Sequence, residues 1–245
     1  MRSLGVICAR GSSKRLRGKN IKPLNGVPLI GYMCQAALAS RIDRVILSTE
    51  DDGIAAIAQQ YGVEAPFRRP TELAADYATS PDIVGHALDW VERQEGKAYE
   101  VLVLLQPTTP FVLPVHIDAC LHAVTKKDGM ASCFTARKVT EPPQWMFTLN
   151  DDGTARPLLG RAIEGEQEHS QKLSPCYFPT GAAYAVRVDA LRKQKRIICD
   201  PASIVEMDLE RSVDIDEPLD WLIAESIGRF YGFAPAVPAR NNRSD

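Results

Sequence analysis

Short, almost wholly apolar runs at Leu4–Cys8, Arg44–Ser48 and Val101–Leu105 alternate with stretches whose apolar residues recur every three or four positions, at Leu29–Ala39, Gly53–Tyr61 and Pro81–Arg93. The continuous runs predict strands buried on both faces, and the longer period predicts amphipathic helices. Their alternation describes βαβ units, hence an α/β fold with a mostly parallel central sheet and helices on both faces. Ligands of such sheets bind beyond the carboxyl ends of the strands. Three segments occupy those ends: the loop after Cys8, the turn Ser48-Thr49-Glu50-Asp51 and the turn Gln106-Pro107-Thr108.

A helix over Pro114–Lys126 and a strand over Gly129–Thr135 continue the series, and then the pattern changes. From Arg137 to Tyr177 the chain is rich in Pro, Gly, Glu and Gln, carries the aromatics Trp145 and Phe147, and shows no long helical period. A structureless loop of that length is unusual in a compact domain, so the segment reads as an irregular loop or an excursion packed outside the main core. Strands resume at Gly181–Val186 and Ile204–Asp208, a last helix is expected over Pro218–Phe230, and residues 233–245 read as a flexible tail. One domain over residues 1–232 is the resulting expectation.

Composition narrows the function. A chain of 245 residues with 45% hydrophobic content can bury a full core. The net charge of −2 hides a local polarity, with cations crowded near the N-terminus and an acidic run from Asp208 to Asp220. That distribution argues against general nucleic-acid binding, which favours one broad basic face. The six cysteines form no C-x-x-C pair and the four histidines show no zinc spacing, so the thiols read as reduced. No apolar stretch approaches the ~18 residues that span a bilayer, and a cytoplasmic protein without a membrane partner is expected.

The chemistry is concentrated in Ala9–Asn20, ARGSSKRLRGKN, which places five cations in a glycine-containing loop directly after the first strand. Gly11 and Gly18 let the backbone turn and approach an anion, while Arg10, Lys14 and Lys19 can supply charge-assisted hydrogen bonds to phosphate. A solvated basic turn is the plainer alternative. The loop is neither G-x-x-x-x-G-K-[ST] nor G-x-G-x-x-G, so it is not the loop of a P-loop ATPase or a dinucleotide site. At the other end of the chain Asp214 and Asp216 flank Ile215; in extended backbone both carboxylates share a face, with Ile215 turned to the core. They can hold a divalent cation, or they can be solvated strand-end aspartates ahead of the helix that begins at Pro218, with Asp216 or Glu217 as its N-terminal cap.

The segment ARGSSKRLRGKNIKPLNGVPLI resembles the opening signature of the acylneuraminate cytidylyltransferases, A-R-x-G-S-K-G-I-x-x-K-N followed by Lys-Pro/Leu and Gly-x-P-L-I. Matches stand at Ala9, Arg10, Ser13, Lys14, Lys19, Asn20, Gly26, Pro28, Leu29 and Ile30. RRPTELAADYATSPDIVGHAL from Arg68, LLQPTTPF from Leu104 and RSVDIDEPLDWLIAE from Arg211 agree in order and spacing. The resemblance implies a Rossmann-like nucleotidyltransferase that couples CTP to a nonulosonic acid, with Mg²⁺ as cofactor. It also implies a homodimer made through the insertion at residues 137–177.

By the same resemblance, Ala9, Arg10, Gly11, Ser13, Lys14, Lys19, Asn20, Arg69 and Ser80 bind the nucleotide. Arg69 is aimed at the cytosine edge, whose O2 and N3 accept from its donors, although a slip of one residue would give that role to Arg68. Gln106, Thr108, Thr180 and Tyr184 fall at sugar positions. Arg10, Lys19, Gln106, Asp214 and Asp216 are the catalytic set, with Asp214 and Asp216 as metal ligands. Family members often carry Arg-Pro-Asn where this chain has Phe178-Pro179-Thr180. That exchange predicts an apolar wall favouring legionaminic- or pseudaminic-type acids, with Lys138, Arg161, His169 or Lys172 left to grip the acceptor carboxylate. A nucleotidyltransferase for another sugar or nucleotide, or a non-catalytic sugar-nucleotide-binding protein, are the competing readings.

Overall fold

The computed structural model describes residues 1–126, 130–160 and 173–233. Gly129, Arg161, His169, Lys172 and the tail from residue 234 lie outside them. The first half follows the expected alternation: β1 (Ser3–Cys8), a small hairpin of β2 (Pro23–Leu24) and β3 (Val27–Pro28), α1 (Leu29–Leu38), β4 (Arg44–Ser48), α2 (Asp52–Gln60), α3 (Ser80–Glu95), β5 (Val101–Leu105) and α4 (Pro114–Lys126). Local signals set the helix starts. The Asp51 carboxylate accepts the Ile54 amide at 2.9 Å to cap α2. Thr79 caps α3, Pro81 opens it, and Gly96, in the left-handed region, ends it.

The second half contains β6 (Ser132–Lys138), β7 (Phe147–Leu149), β8 (Ala155–Pro157), β9 (Tyr177–Arg187), α5 (Val188–Gln194), β10 (Ala202–Glu206) and α6 (Pro218–Tyr231). Six strands form one sheet in the order β10-β6-β9-β5-β1-β4. The sheet is mixed. β1 is parallel to β4 and β5, and β10 to β6, but β9 runs antiparallel to both of its neighbours. The expected mostly parallel sheet is interrupted at β9. The chain leaves the end of β6 and re-enters the sheet beside it from that same end, so β9 runs antiparallel.

Period-2 burial explains the two-faced core. Leu4, Val6, Leu102 and Leu104 pack with Val84, Leu88 and Val91 of α3. Ile7, Val103 and Leu105 point to the opposite face, against Ile30 and Met33 of α1 and Ile117 of α4. A third cluster joins Leu24, Leu29, Phe111 and Trp221 around a buried Ile215. It fastens α6 and the acidic segment before it to the sheet edge where β1, β4 and β5 end.

The excursion contains a two-stranded piece, β7 paired with β8, and a ribbon in which Ala136–Lys138 pair with Tyr177–Pro179. Met146, Phe147, Leu149, Leu158 and Leu159 are exposed there. Among the described residues, no helix is long and apolar enough to cross a membrane.

Candidate active site

The carboxyl ends of β1, β4 and β5 open into a cleft of about 540 Å³. The cationic loop forms one wall. Arg10, Ser13, Lys14, Lys19 and Asn20 border the cleft, together with Arg15, whose part the sequence did not single out. The Asn20 amide donates to the Arg10 carbonyl at 3.0 Å, which pins the loop, and its Oδ1 is buried without a partner. Ala9 and Gly11 do not border the cleft. The Ala9 amide donates to the Ser48 carbonyl at 3.2 Å, and the Gly11 amide to Glu50 Oε1 at 2.7 Å. The expected approach of the Gly11 backbone to an anion is therefore replaced by an internal bond. Glycine is required for a different reason: a Cβ there would meet Asp51 Oδ2 at 2.4 Å.

The opposite wall comes from the segment before α3. Arg69 is 3% exposed and borders the cleft, its Nε donating to Ser48 Oγ at 3.0 Å and its Nη2 to the Ser48 carbonyl. Arg68 is 67% exposed and pairs with Asp52 at 2.6 Å, outside the cleft. The ambiguity between the two arginines is thereby removed in favour of Arg69 as the cleft residue. Ser80, at the start of α3, also borders the cleft, and Cys8, Ile83 and Leu104 add apolar surface beside Arg69. Burial pushes the Cys8 thiol up to about 11, so it serves as a neutral wall. Asp76 bridges the two walls, accepting from Arg10 at 2.8 Å and from Lys14.

The floor is acidic. Asp214 and Asp216 both border the cleft, with Ile215 between them fully buried, as alternation in extended backbone requires. The Ile215 amide donates to the Thr108 carbonyl at 2.8 Å. Lys19 Nζ donates to the Ile215 carbonyl and to Asp216 Oδ1, each at 2.8 Å. Arg15 donates to Asp216 Oδ2 at 2.9 Å. Of the two residues expected as the cap, Glu217 is the N-cap of α6, in a capping box with Asp220. Asp220 Oδ2 accepts the amides of Asp216 at 2.9 Å and Glu217 at 2.7 Å, so the Asp214 and Asp216 carboxylates remain with the cleft.

The two carboxyls are driven apart in acidity. Burial, reinforced by the charge of Asp216, raises Asp214 against a hydrogen bond from Thr108. The hydrogen bond and charge of Lys19, with Arg15, lower Asp216. Among the described residues, no group of three or more His, Cys, Asp or Glu is placed to hold a metal. Two carboxylates nevertheless fit Mg²⁺, which takes few protein oxygens and completes its octahedron with water and phosphate oxygens. Two like charges on one face also gain from a cation.

Gln106 and Thr108 border the cleft beside this floor. Thr180 does not: it is 2% exposed and its hydroxyl bonds Thr135 Oγ1 at 2.8 Å inside the sheet. Tyr184 lies behind the floor, stacked on Phe134 at 6.0 Å, its phenol raised by burial and then by Asp214. Phe178 is 58% exposed on the ribbon under Arg137. The apolar wall expected from Phe178 and Thr180 is therefore not formed: Phe178 lies on the ribbon outside the sheet core, while Thr180 lies where β9 has entered the sheet, beside the register shift between Phe134 and Ala136.

A cationic loop and a carboxylate pair thus meet at the strand ends of an α/β sheet. Residues 4–217 match the family described as Cytidylyltransferase, and the chain belongs to that family. It is 31% identical over 234 residues to the CMP-N,N'-diacetyllegionaminic acid synthase of Legionella pneumophila, covering 93% of this chain and 96% of the relative. It is 32% identical over 219 residues to a pseudaminic acid cytidylyltransferase of Campylobacter jejuni, covering 88% and 91%. Its fold is similar to a structure of CMP:2-keto-3-deoxy-manno-octonic acid synthetase in complex with CTP, with TM-score 0.65, 18% identity and coverage of 94% and 100%.

Proposed function

We propose that this protein transfers the CMP unit of CTP to the anomeric hydroxyl of a nonulosonic acid, releasing pyrophosphate. The observation that carries this reading is the opposition, across one cleft, of the Arg10, Lys14 and Lys19 cations to the Asp214 and Asp216 carboxylates. A triphosphate needs the first and a metal-assisted displacement at phosphorus needs the second. The two curated relatives name legionaminic and pseudaminic acids, which supports a nonulosonic acid as the acceptor class.

In this reading Arg10, Lys14 and Lys19 hold the β- and γ-phosphates and stabilise the charge that leaves with pyrophosphate. Arg69 donates to cytosine O2 and N3 while Cys8, Ile83 and Leu104 enclose the ring. Gln106 orients the acceptor hydroxyl, whose oxygen bonds to the α-phosphorus as the bond to the bridging oxygen breaks and its proton departs. Mg²⁺ held by Asp214 and Asp216 would neutralise charge on the transferring phosphates. Residues 1–232 act as the nucleotidyltransferase domain, and the exposed apolar residues of the insertion at 137–177 join two copies.

The test is pyrophosphate release by the purified chain with CTP, Mg²⁺ and a panel of nonulosonic acids. Release with a legionaminic- or pseudaminic-type acid is expected. Release with none of the panel, or equal release with UTP, overturns the reading.

A further inference from the structure

Glu50 is a half-buried acid with no role in the chemistry described so far. It lies just past Thr49, the residue after β4, and directly precedes Asp51, the cap of α2, so its backbone is held on both sides. One carboxylate oxygen accepts the Gly11 amide at 2.7 Å. The other is buried, accepts no hydrogen bond, and stands 3.9 Å from Arg69 Nη1. Glu50 does not border the cleft, whereas Arg69 does.

A guanidinium as buried as that of Arg69 is costly without a counter-charge. Ser48 gives it two neutral acceptors that fix its plane, at Nε and Nη2. Among the described residues, Glu50 is the carboxylate in ion-pair range of it. The 3.9 Å separation is too long for a hydrogen bond. Nη1 therefore keeps its donors for a ligand while its charge is balanced from behind. Glu50 Oε1, through the Gly11 amide, ties this arrangement to the cationic loop.

We infer that Glu50 is a positioning residue for nucleotide choice: it balances and orients Arg69 for the base and, through Gly11, joins the base contact to the phosphate contacts. The inference rests on the assignment of Arg69 to the base. Glu50 would touch no nucleotide atom, yet the preference for CTP over UTP would depend on it. A neutral residue at this position leaves the guanidinium buried without compensation, and a shorter acid leaves the loop without its acceptor.

Calorimetric titration of the full chain with CTP, UTP and inorganic pyrophosphate tests this without an acceptor sugar. Glu50→Gln keeps an oxygen for Gly11 and removes the charge. The ratio of UTP to CTP dissociation constants should fall roughly tenfold, the scale of a lost charge-assisted contact, with pyrophosphate affinity retained. In an Arg69→Ala background the same change should have no further effect on the ratio. Glu50→Asp keeps the charge but not the reach, so CTP preference holds while pyrophosphate affinity drops. A wild-type ratio in Glu50→Gln, beside a reduced ratio in Arg69→Ala, overturns the role of Glu50 alone. An unchanged ratio in Arg69→Ala overturns the base assignment itself. If Glu50→Gln is too unstable to titrate, the reverse pattern in Glu50→Asp, preference lost and pyrophosphate affinity kept, overturns the inference.

Discussion

Lys19 and Asp216, 197 positions apart in the chain, meet at 2.8 Å, and the same ammonium holds the Ile215 carbonyl at 2.8 Å. The loop that closes β1 and the segment that opens α6 are thus one structural unit across the cleft. Lys19 organises the acidic floor and is also a candidate for the phosphates. Lys19→Ala should therefore lower turnover and also loosen the floor, seen as a reduced melting temperature. A variant with lowered turnover and an unchanged melt would limit Lys19 to the phosphates.

Changing Asp214 or Asp216 to Asn should each cut turnover by roughly two orders of magnitude, the scale of a lost charge-stabilising group. Pyrophosphate release at saturating CTP is the measurement, and raising Mg²⁺ should recover part of the loss. Near-normal turnover in both variants would place the metal elsewhere.

Asp214 also predicts a pH effect on stability. Its carboxyl is raised by burial and by Asp216, so the folded state binds a proton more readily than the unfolded chain. Ionisation therefore costs stability above the raised folded value, and the cost is relieved as pH falls through it. Asp214→Asn should melt higher than wild type at neutral pH, with the gap closing toward acid. A gap that is constant with pH would refute the assigned cause.

Arg69→Ala should narrow the preference for CTP over UTP, whereas Arg10→Ala should weaken both nucleotides alike. Arg68→Ala should do neither, because its partner Asp52 lies outside the cleft. Competition titrations with the two nucleotides distinguish the three patterns.

Asp76 pairs with both Arg10 and Lys14 and so competes with phosphate for them. Asp76→Asn should tighten pyrophosphate binding by roughly two- to fivefold, the scale of an exposed ion pair. Weaker binding would mean that Asp76 holds the two cations in place for phosphate.

The exposed apolar residues of the insertion predict assembly. Leu149 is 77% exposed beside Phe147, and Leu149→Asp should shift a dimer toward monomer in light scattering at micromolar concentration. A monomeric, fully active wild type would refute the proposed contact.

Most strands and helices were legible because runs such as Val101–Leu105 and the period of Ser80–Glu95 carry their own burial pattern. The direction of β9 was not, since two-faced burial looks the same in either sense. The short helix Val188–Gln194 offers too few turns for a period. In the site, residue type sufficed for Arg10, Lys19, Gln106, Asp214 and Asp216, which all reach the cleft. It could not reveal Arg15 on Asp216, Asp76 on Arg10 or Glu50 on Gly11, because these pairings join segments whose proximity only the folded sheet creates. Thr180 was misjudged for a related reason: β9 begins at Tyr177, earlier than its apolar run, and becomes buried from Thr180 onward, where the hydroxyl is taken by Thr135.

The antiparallel return of β9 has a bearing on how such chains diversify. A crossover helix would have carried the polypeptide to the far end of the sheet before it re-entered, so any change in the connection would shift the strands around it. Here the chain departs from the end of β6 and comes back next to its point of departure, at the edge that holds the cleft. The excursion leaves and rejoins the sheet through the two-stranded ribbon of Ala136–Lys138 and Tyr177–Pro179. A change in its length or surface can therefore leave strand register, the cationic loop and the paired aspartates in place.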